Sequence, residues 1–414
     1  MSGTLIAALP WTDKKGRVHT LRSVVFVLIL VPGLVLAVRW GVWGLGTRPL
    51  KVAIHSTGYW AVWLLLASLL VSPLKALTGN TQLTVVRRMV GLASLVYALV
   101  HVTLYVIDEG GGVLHLLTEI VSRFYLTIGA LAAAGLIVLG MTSTDGIMRR
   151  MGTQWKQLHR LAYLIATLTA VHYVLQSKAD VSQALVAIGV FVWLMLWRTL
   201  PAGRDRTPVP VLGLAVAAAL TTVLSEYVWY RFGTRIDPVK AVRLEADLRY
   251  GLHPAALVLA LGLLAAGAVA VRQAGQGAWG QRMWFTIVLY AAGALAGPLG
   301  AFLFGFPGDD ETSRSMLLSL MAVPVFALMG WARFTVRDAG PRRLLDAVWA
   351  AAAIYPAVLM LDLDDRRILM AGGAIVVVAT LVTSTRVWRI SRLAAVLLLP
   401  LIGWVAYEAT AALA

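Results

Sequence analysis

The chain has 414 residues, 59% hydrophobic and only 14% charged, with a mean hydropathy of +0.80. So little charge cannot wet the surface of a soluble protein of this size, which excludes a soluble domain and implies a polytopic membrane protein. The formal net charge of +16 falls in short loops between apolar runs, the distribution of the positive-inside rule and not of a nucleic-acid surface.

Residues 1–21 form a basic tail with Lys14, Lys15 and Arg17. The apolar run that follows is too long for a signal peptide, and no small-residue cleavage site precedes Arg39, so it reads as a retained first span. The runs are long and unbroken, not the ten-residue alternations of a barrel, so the expected fold class is all-α. Spans are expected at 22–43, 53–74, 88–107, 122–142, 157–176 and 180–199. The polar break PAGRDRTPVP (201–210) then separates a six-helix region, 1–200, from a further region, 208–414. In the latter, spans are expected at 209–230, 251–271, 283–304, 315–332, 344–361, 368–385 and 393–411. That makes about thirteen, or twelve if the last and weakest run does not cross. Basic groups such as Lys75/Arg87/Arg88, Arg149/Arg150/Lys156 and Arg386/Arg389/Arg392 fall on one side, read as cytoplasmic together with the N-terminus. The acidic loops GDDET (308–312) and DLDD (362–365) fall on the other. Tryptophans near span ends, among them Trp40, Trp155, Trp197 and Trp229, suit interfacial anchors. The longest outer loop, 231–250, has room for a surface helix that meets a partner. No internal repeat stands out.

Seven histidines remain to be explained. A buried imidazole in a bilayer is costly without a partner, so each intramembrane histidine is a functional candidate. The stretch WKQLHRLAYLIATLTAVHYVLQSK (155–178) carries two, His159 and His172. At 1.5 Å per residue His101 lies about 20 Å into the third span and His172 about 26 Å into the fifth, which are matched depths once helices tilt. His101 and His172 are therefore the candidate axial pair of a single haem iron. With no cysteine in the chain, disulfides, iron–sulfur clusters and covalent C-x-x-C-H haem attachment are excluded, so any haem is held by non-covalent ligation. His159 lies only about 6 Å in. At about 100° per residue it is turned roughly 140° from His172, so either the helix is distorted or His159 faces another pocket. A second haem there would need a non-histidine ligand; contact with a propionate, a flavin or a quinone is the other option. His55 is a secondary candidate for ligation or for contact with the haem edge. His19 reads as a solvated tail residue, and His115 and His253 as loop residues. In the second half Glu226 reads either as a carboxylate reaching the interface or as a proton-handling group.

The stretches HSTGYW (55–60), SPLK (72–75), RRMVGLASLVYALVHVTLYV (87–106), YLTIG (125–129), TSTDGIMRRMG (142–152), WKQLHRLAYL (155–164) and VHYVLQSK (171–178) together resemble a known family. It is the haem-binding membrane subunit of bacterial periplasmic methionine sulfoxide reductase systems, within the ferric-reductase-like transmembrane superfamily. The resemblance covers about residues 10–200. It implies an inner-membrane haem b protein that takes electrons from the quinone pool or a cytoplasmic flavin reductase. Its partner would be a periplasmic molybdopterin-dependent enzyme that reduces methionine sulfoxide back to the thioether. The family's motif histidines fall on His101, His159 and His172. FMN binding is also implied, with no flavin residue carried over. Residues 208–414 exceed the family's usual length.

The G-x-G-x-x-G match at Gly275, Gly277 and Gly280 lies in a short loop between spans, not in a βαβ unit, and implies no nucleotide site. Without a nucleotide-binding domain the chain cannot take hydride from NAD(P)H directly, so it reads as an electron-transfer subunit and not a stand-alone enzyme. Two rival readings share the membrane architecture: a ferric-ion reductase with the same haem core, and a non-redox transporter whose histidines bind protons or substrate. Broken helices and repeated halves would favour the transporter.

Overall fold

A computed structural model describes residues 10–12, 16–110, 112–177, 181–201, 207–240 and 253–274, and beyond these mainly 339–359 and 366–396 with isolated positions between 286 and 405. Among the described residues the fold is all-α; the one extended pairing is an isolated bridge between Thr12 and Val18. Among the described residues seven helical segments are long and apolar enough to cross a membrane: Thr20–Val42, Pro49–Thr78, Thr81–Asp108, Phe124–Met141, Thr153–Ser177, Ser182–Thr199 and Pro208–Gly233. They coincide with the first seven expected spans, and the chain is a multi-pass membrane protein. The expected eighth, eleventh and twelfth positions hold the helices Pro254–Ala274, Ala339–Leu359 and Arg366–Trp388. The expected spans 283–304, 315–332 and 393–411 lie largely or wholly outside the described residues. So do the loops 308–312 and 362–365, the glycine motif 275–280 and the second half, 241–250, of 231–250.

The chain divides into two compact units, residues 1–201 with 217–225, and residues 202–216 with 226–414. In the first unit α1 (Thr20–Val38) is followed by α2 (Pro49–Thr78). Proline suits the first turn of α2, where no N–H is needed. Gly79 ends it at φ 71°, its N–H closing on the Lys75 carbonyl at 2.8 Å, in the left-handed conformation that glycine adopts without strain. A tight turn leads to α3 (Arg87–Asp108), which returns along α2 as a hairpin. Small residues let the two backbones approach: buried Ser94 donates to the Ala61 carbonyl at 2.7 Å, the kind of interhelical bond that substitutes for hydrophobic drive in lipid. Tyr97 of α3 donates to the Ile29 carbonyl of α1 at 2.9 Å and accepts from Gly33 N–H at 2.9 Å.

A short surface helix, α4 (Val113–Ser122), leads to α5 (Phe124–Met141). Two short helices, α6 (Asp145–Met151) and α7 (Thr153–Leu158), precede α8 (Leu161–Ser177), which packs along α5 as a second hairpin. The stretch 155–178 is therefore not one helix: α7 stops at Leu158, His159 and Arg160 make a turn, and α8 restarts at Leu161. α9 (Ser182–Thr199) covers α2 and α8. Its Arg198 binds three helices at once: it donates to the Leu194 carbonyl, to the Leu69 carbonyl at 2.9 Å and to the Tyr163 hydroxyl at 3.3 Å.

The two hairpins repeat. His172 stands 71 residues after His101, and the same offset carries Ile54 onto Tyr125 and Gly58 onto Gly129. The absence of a repeat expected from sequence is thus corrected by the geometry of the pairs below.

α10 (Pro208–Gly233) has residues in both units. In the second unit α11 (Pro254–Ala274) is followed by α12 (Ala339–Leu359), α13 (Arg366–Trp388) and α14 (Arg392–Val396). Their core gathers Phe326, Met329, Leu345, Val348, Val376 and Leu398. A bidentate pair from Arg333 to Asp346, at 2.9 and 3.3 Å, flanks it.

Candidate functional site

In the first hairpin the imidazole of His101 on α3 meets α2. Its Nδ1 lies 2.7 Å from the Ile54 carbonyl oxygen. In the second, His172 on α8 meets α5, with Nδ1 2.8 Å from the Tyr125 carbonyl oxygen. A carbonyl can only accept, so each Nδ1 carries the hydrogen and donates. Each Nε2 is left with an unprotonated lone pair, and neither makes a hydrogen bond among the described residues. That is the second-shell arrangement by which a protein fixes the tautomer and raises the basicity of a metal-ligating histidine.

Glycine makes this approach possible, one turn beyond each carbonyl. A Cβ at Gly58 would lie 2.7 Å from His101 Nδ1, and one at Gly129 would lie 2.7 Å from His172 Cε1 and 2.8 Å from its Nδ1. Any side chain there would occupy the space of the ring.

The hairpins bring the two rings next to each other. Their centroids are 6.5 Å apart and their planes cross at 81°. An imidazole nitrogen bonds a metal at about 2 Å, so two rings on opposite sides of one ion have centroids roughly 6 Å apart. The observed spacing agrees with that. Two imidazoles do not close the shell of a bare ion, and among the described residues there is no group of three or more His, Cys, Asp or Glu able to hold one. They do suffice for an iron already held in plane by a macrocycle, as in bis-histidine haem.

Behind the pair, Tyr59 of α2 and Tyr173 of α8 pack edge to face with centroids 6.3 Å apart, tying one hairpin to the other. Tyr173 also donates to Gln183 Oε1 of α9 at 3.1 Å. Sequence reasoning missed both tyrosines, although each directly follows a site residue, Gly58 or His172.

Of the other histidines, His55 lies beside this place, directly after Ile54, and the rest stand apart from it. His55 is exposed on α2. His159 lies in the turn between α7 and α8. Its ring stacks on Trp155 at a centroid distance of 3.9 Å, with Nδ1 3.1 Å from the Trp155 carbonyl and Nε2 3.3 Å from Ser143 Oγ. The Ser143 hydroxyl donates to the Leu139 carbonyl at 2.7 Å, and Trp155 Nε1 donates to the Thr142 carbonyl at 3.0 Å. Both nitrogens of His159 thus contact protein groups. Of the two options open from sequence, distortion and a separate pocket, the distortion is seen: the helix breaks at His159. His115 is on a helix, α4, not in a loop, with Nε2 3.6 Å from Glu109 Oε2. His19 is no solvated tail residue: its Nδ1 is shielded from solvent at the start of α1. Glu226 of α10 is only 6% exposed, with Oε2 unpaired among the described residues; it does not reach out to an interface.

A helical membrane protein with facing histidines on paired hairpins has counterparts. Residues 57–170 match the family model of the ferric reductase like transmembrane component. The chain is 37% identical over 166 residues to the protein-methionine-sulfoxide reductase heme-binding subunit MsrQ of Brucella ovis, and 35% identical over 167 residues to that of Brucella anthropi. These alignments cover 40% of this chain and 75% and 76% of the relatives. The chain therefore belongs to the MsrQ family. No solved structure matches it.

Proposed function

We propose that the first unit binds one haem b between His101 and His172 and passes electrons through the membrane to a methionine sulfoxide reductase. The observation that carries this is the facing pair itself: two imidazoles at metal-bridging distance, each with Nδ1–H tied to a carbonyl and Nε2 left over. The names of the Brucella relatives, which are heme-binding subunits of such a reductase, support the cofactor and the partner. When bound, the haem supplies one-electron chemistry. The protein supplies axial ligands of fixed tautomer, a low-dielectric surround and position.

In this reading the N-terminus faces the cytoplasm of a bacterial inner membrane, and the basic ends of the helices lie there. The donor, a reduced quinone from the membrane pool or a reduced flavin such as FMN, delivers electrons on the side of α6 and α7. The acceptor is a soluble periplasmic, molybdopterin-dependent reductase on the other side. His159, stacked on Trp155 in the turn between α7 and α8, serves the donor side and not the iron. The purified protein is expected to be red, with a Soret band and an α-band sharpened by dithionite. His101→Ala and His172→Ala should each abolish the α-band, and His159→Ala should keep it. A colourless folded wild type, or loss of the α-band only in His159→Ala, refutes the assignment.

A further inference from the structure

The end of the site where α3 closes into α4 and α5 begins holds a buried hydroxyl without a partner among the described residues, Tyr105, and an exposed guanidinium only partly engaged, Arg123. Tyr105 stands one helical turn beyond His101, on the same face of α3. Its hydroxyl is shut away from solvent and has no partner among the described residues, which is unfavourable for a polar atom in a membrane interior unless something later fills the place. Arg123 stands at the junction of α4 and α5, two residues before Tyr125, whose carbonyl holds His172. It uses Nε on Glu119 Oε2 at 2.7 Å and Nη1 on the Tyr125 hydroxyl at 3.4 Å, and its Nη2 has no partner among the described residues. Tyr105 lies within electrostatic reach of Arg123, Tyr125, Glu109 and Glu119. Glu119 already has a cationic neighbour in Arg123, and Glu109 Oε2 lies 3.6 Å from His115 Nε2.

One donor extends from the His101 hairpin and the other from the His172 hairpin, both at the same end. A ligand held between the two imidazoles that carried a carboxylate at its edge could reach both. We infer that Tyr105 and Arg123 form an anchoring subsite for a haem propionate, the phenol giving a hydrogen bond and the guanidinium a charge-assisted one. This rests on the haem reading above. It adds an orientation: the propionate edge faces the α3–α5 end of the bundle, and the vinyl edge faces the apolar interior.

The test uses the full-length protein produced in haem-limited cells, titrated in detergent with haem b and with its dimethyl ester, which has the same iron and ring but no carboxylate. Wild type should bind the free acid about ten-fold more tightly than the ester, the worth of one charge-assisted hydrogen bond. Tyr105→Phe and Arg123→Gln should each shrink that ratio, and together bring it to about one, with ester affinity unchanged. Tyr105→Phe removes a single oxygen, so its ester affinity also reports that the fold is intact. A wild-type ratio near one, or a ratio unchanged in the double variant, overturns the subsite. Failure of the haem reading would look different, because neither ligand would then give a bis-histidine spectrum with wild type.

Discussion

Gly58 and Gly129 are as specific to this site as the histidines they face. Each lets an imidazole lie against a helix backbone and reach the carbonyl one turn earlier. Gly58→Ala or Gly129→Ala should cost about 1–3 kcal/mol through overpacking. Displacing the ring from its carbonyl should also weaken haem retention roughly 10- to 100-fold, the usual cost of a lost second-shell partner. Haem per chain after purification, read beside thermal stability, checks both. Gly213→Ala is the control: a Cβ there meets open space, so neither readout should fall. The histidines were legible in the sequence because a polar ring in an apolar run is conspicuous and its depth follows from helical rise. Their acceptors were not. Any residue supplies a carbonyl, and nothing in the side chains of Ile54 and Tyr125 marks them as equivalent. For the same reason the 71-residue repeat was invisible: it survives in backbone roles, a glycine and a histidine, and in little else.

At the scale of elements, the departure from expectation lies between α5 and α8. Counting 140° between His159 and His172 assumed an unbroken helix. The chain is already divided before that turn by local signals: Thr144 caps α6 through its hydroxyl, and Gly152 parts α6 from α7 at φ 54°, ψ −120°. That conformation strains a residue with a Cβ, so Gly152→Ala should destabilise the protein by about 1–3 kcal/mol, seen as a lower thermal midpoint. The α-band should be unaffected, because neither imidazole of the facing pair touches this turn. A shifted α-band with an unchanged midpoint would show that the turn is coupled to the pair after all.

For the molecule as a whole, the sequence put its seam in the polar break at 201–210. The structure returns residues 217–225 of α10 to the first unit, because a break in composition marks where a chain leaves a helix, not what the next helix packs against. A chain ending at Gly233 should therefore carry as much haem per polypeptide as the full chain. One ending at Pro201 lacks the α10 segment and should lose stability. Pigment-to-protein ratios of the three proteins after size-exclusion chromatography provide the comparison.

The mirrored construction of the hairpins has a consequence for damage. Each imidazole is aimed by its own scaffold, so deleting one leaves the other pointing at the same spot, with a vacancy the size of the missing ring opposite. A small diffusible base should fit that vacancy: millimolar free imidazole is expected to restore colour to His101→Gly and His172→Gly alike.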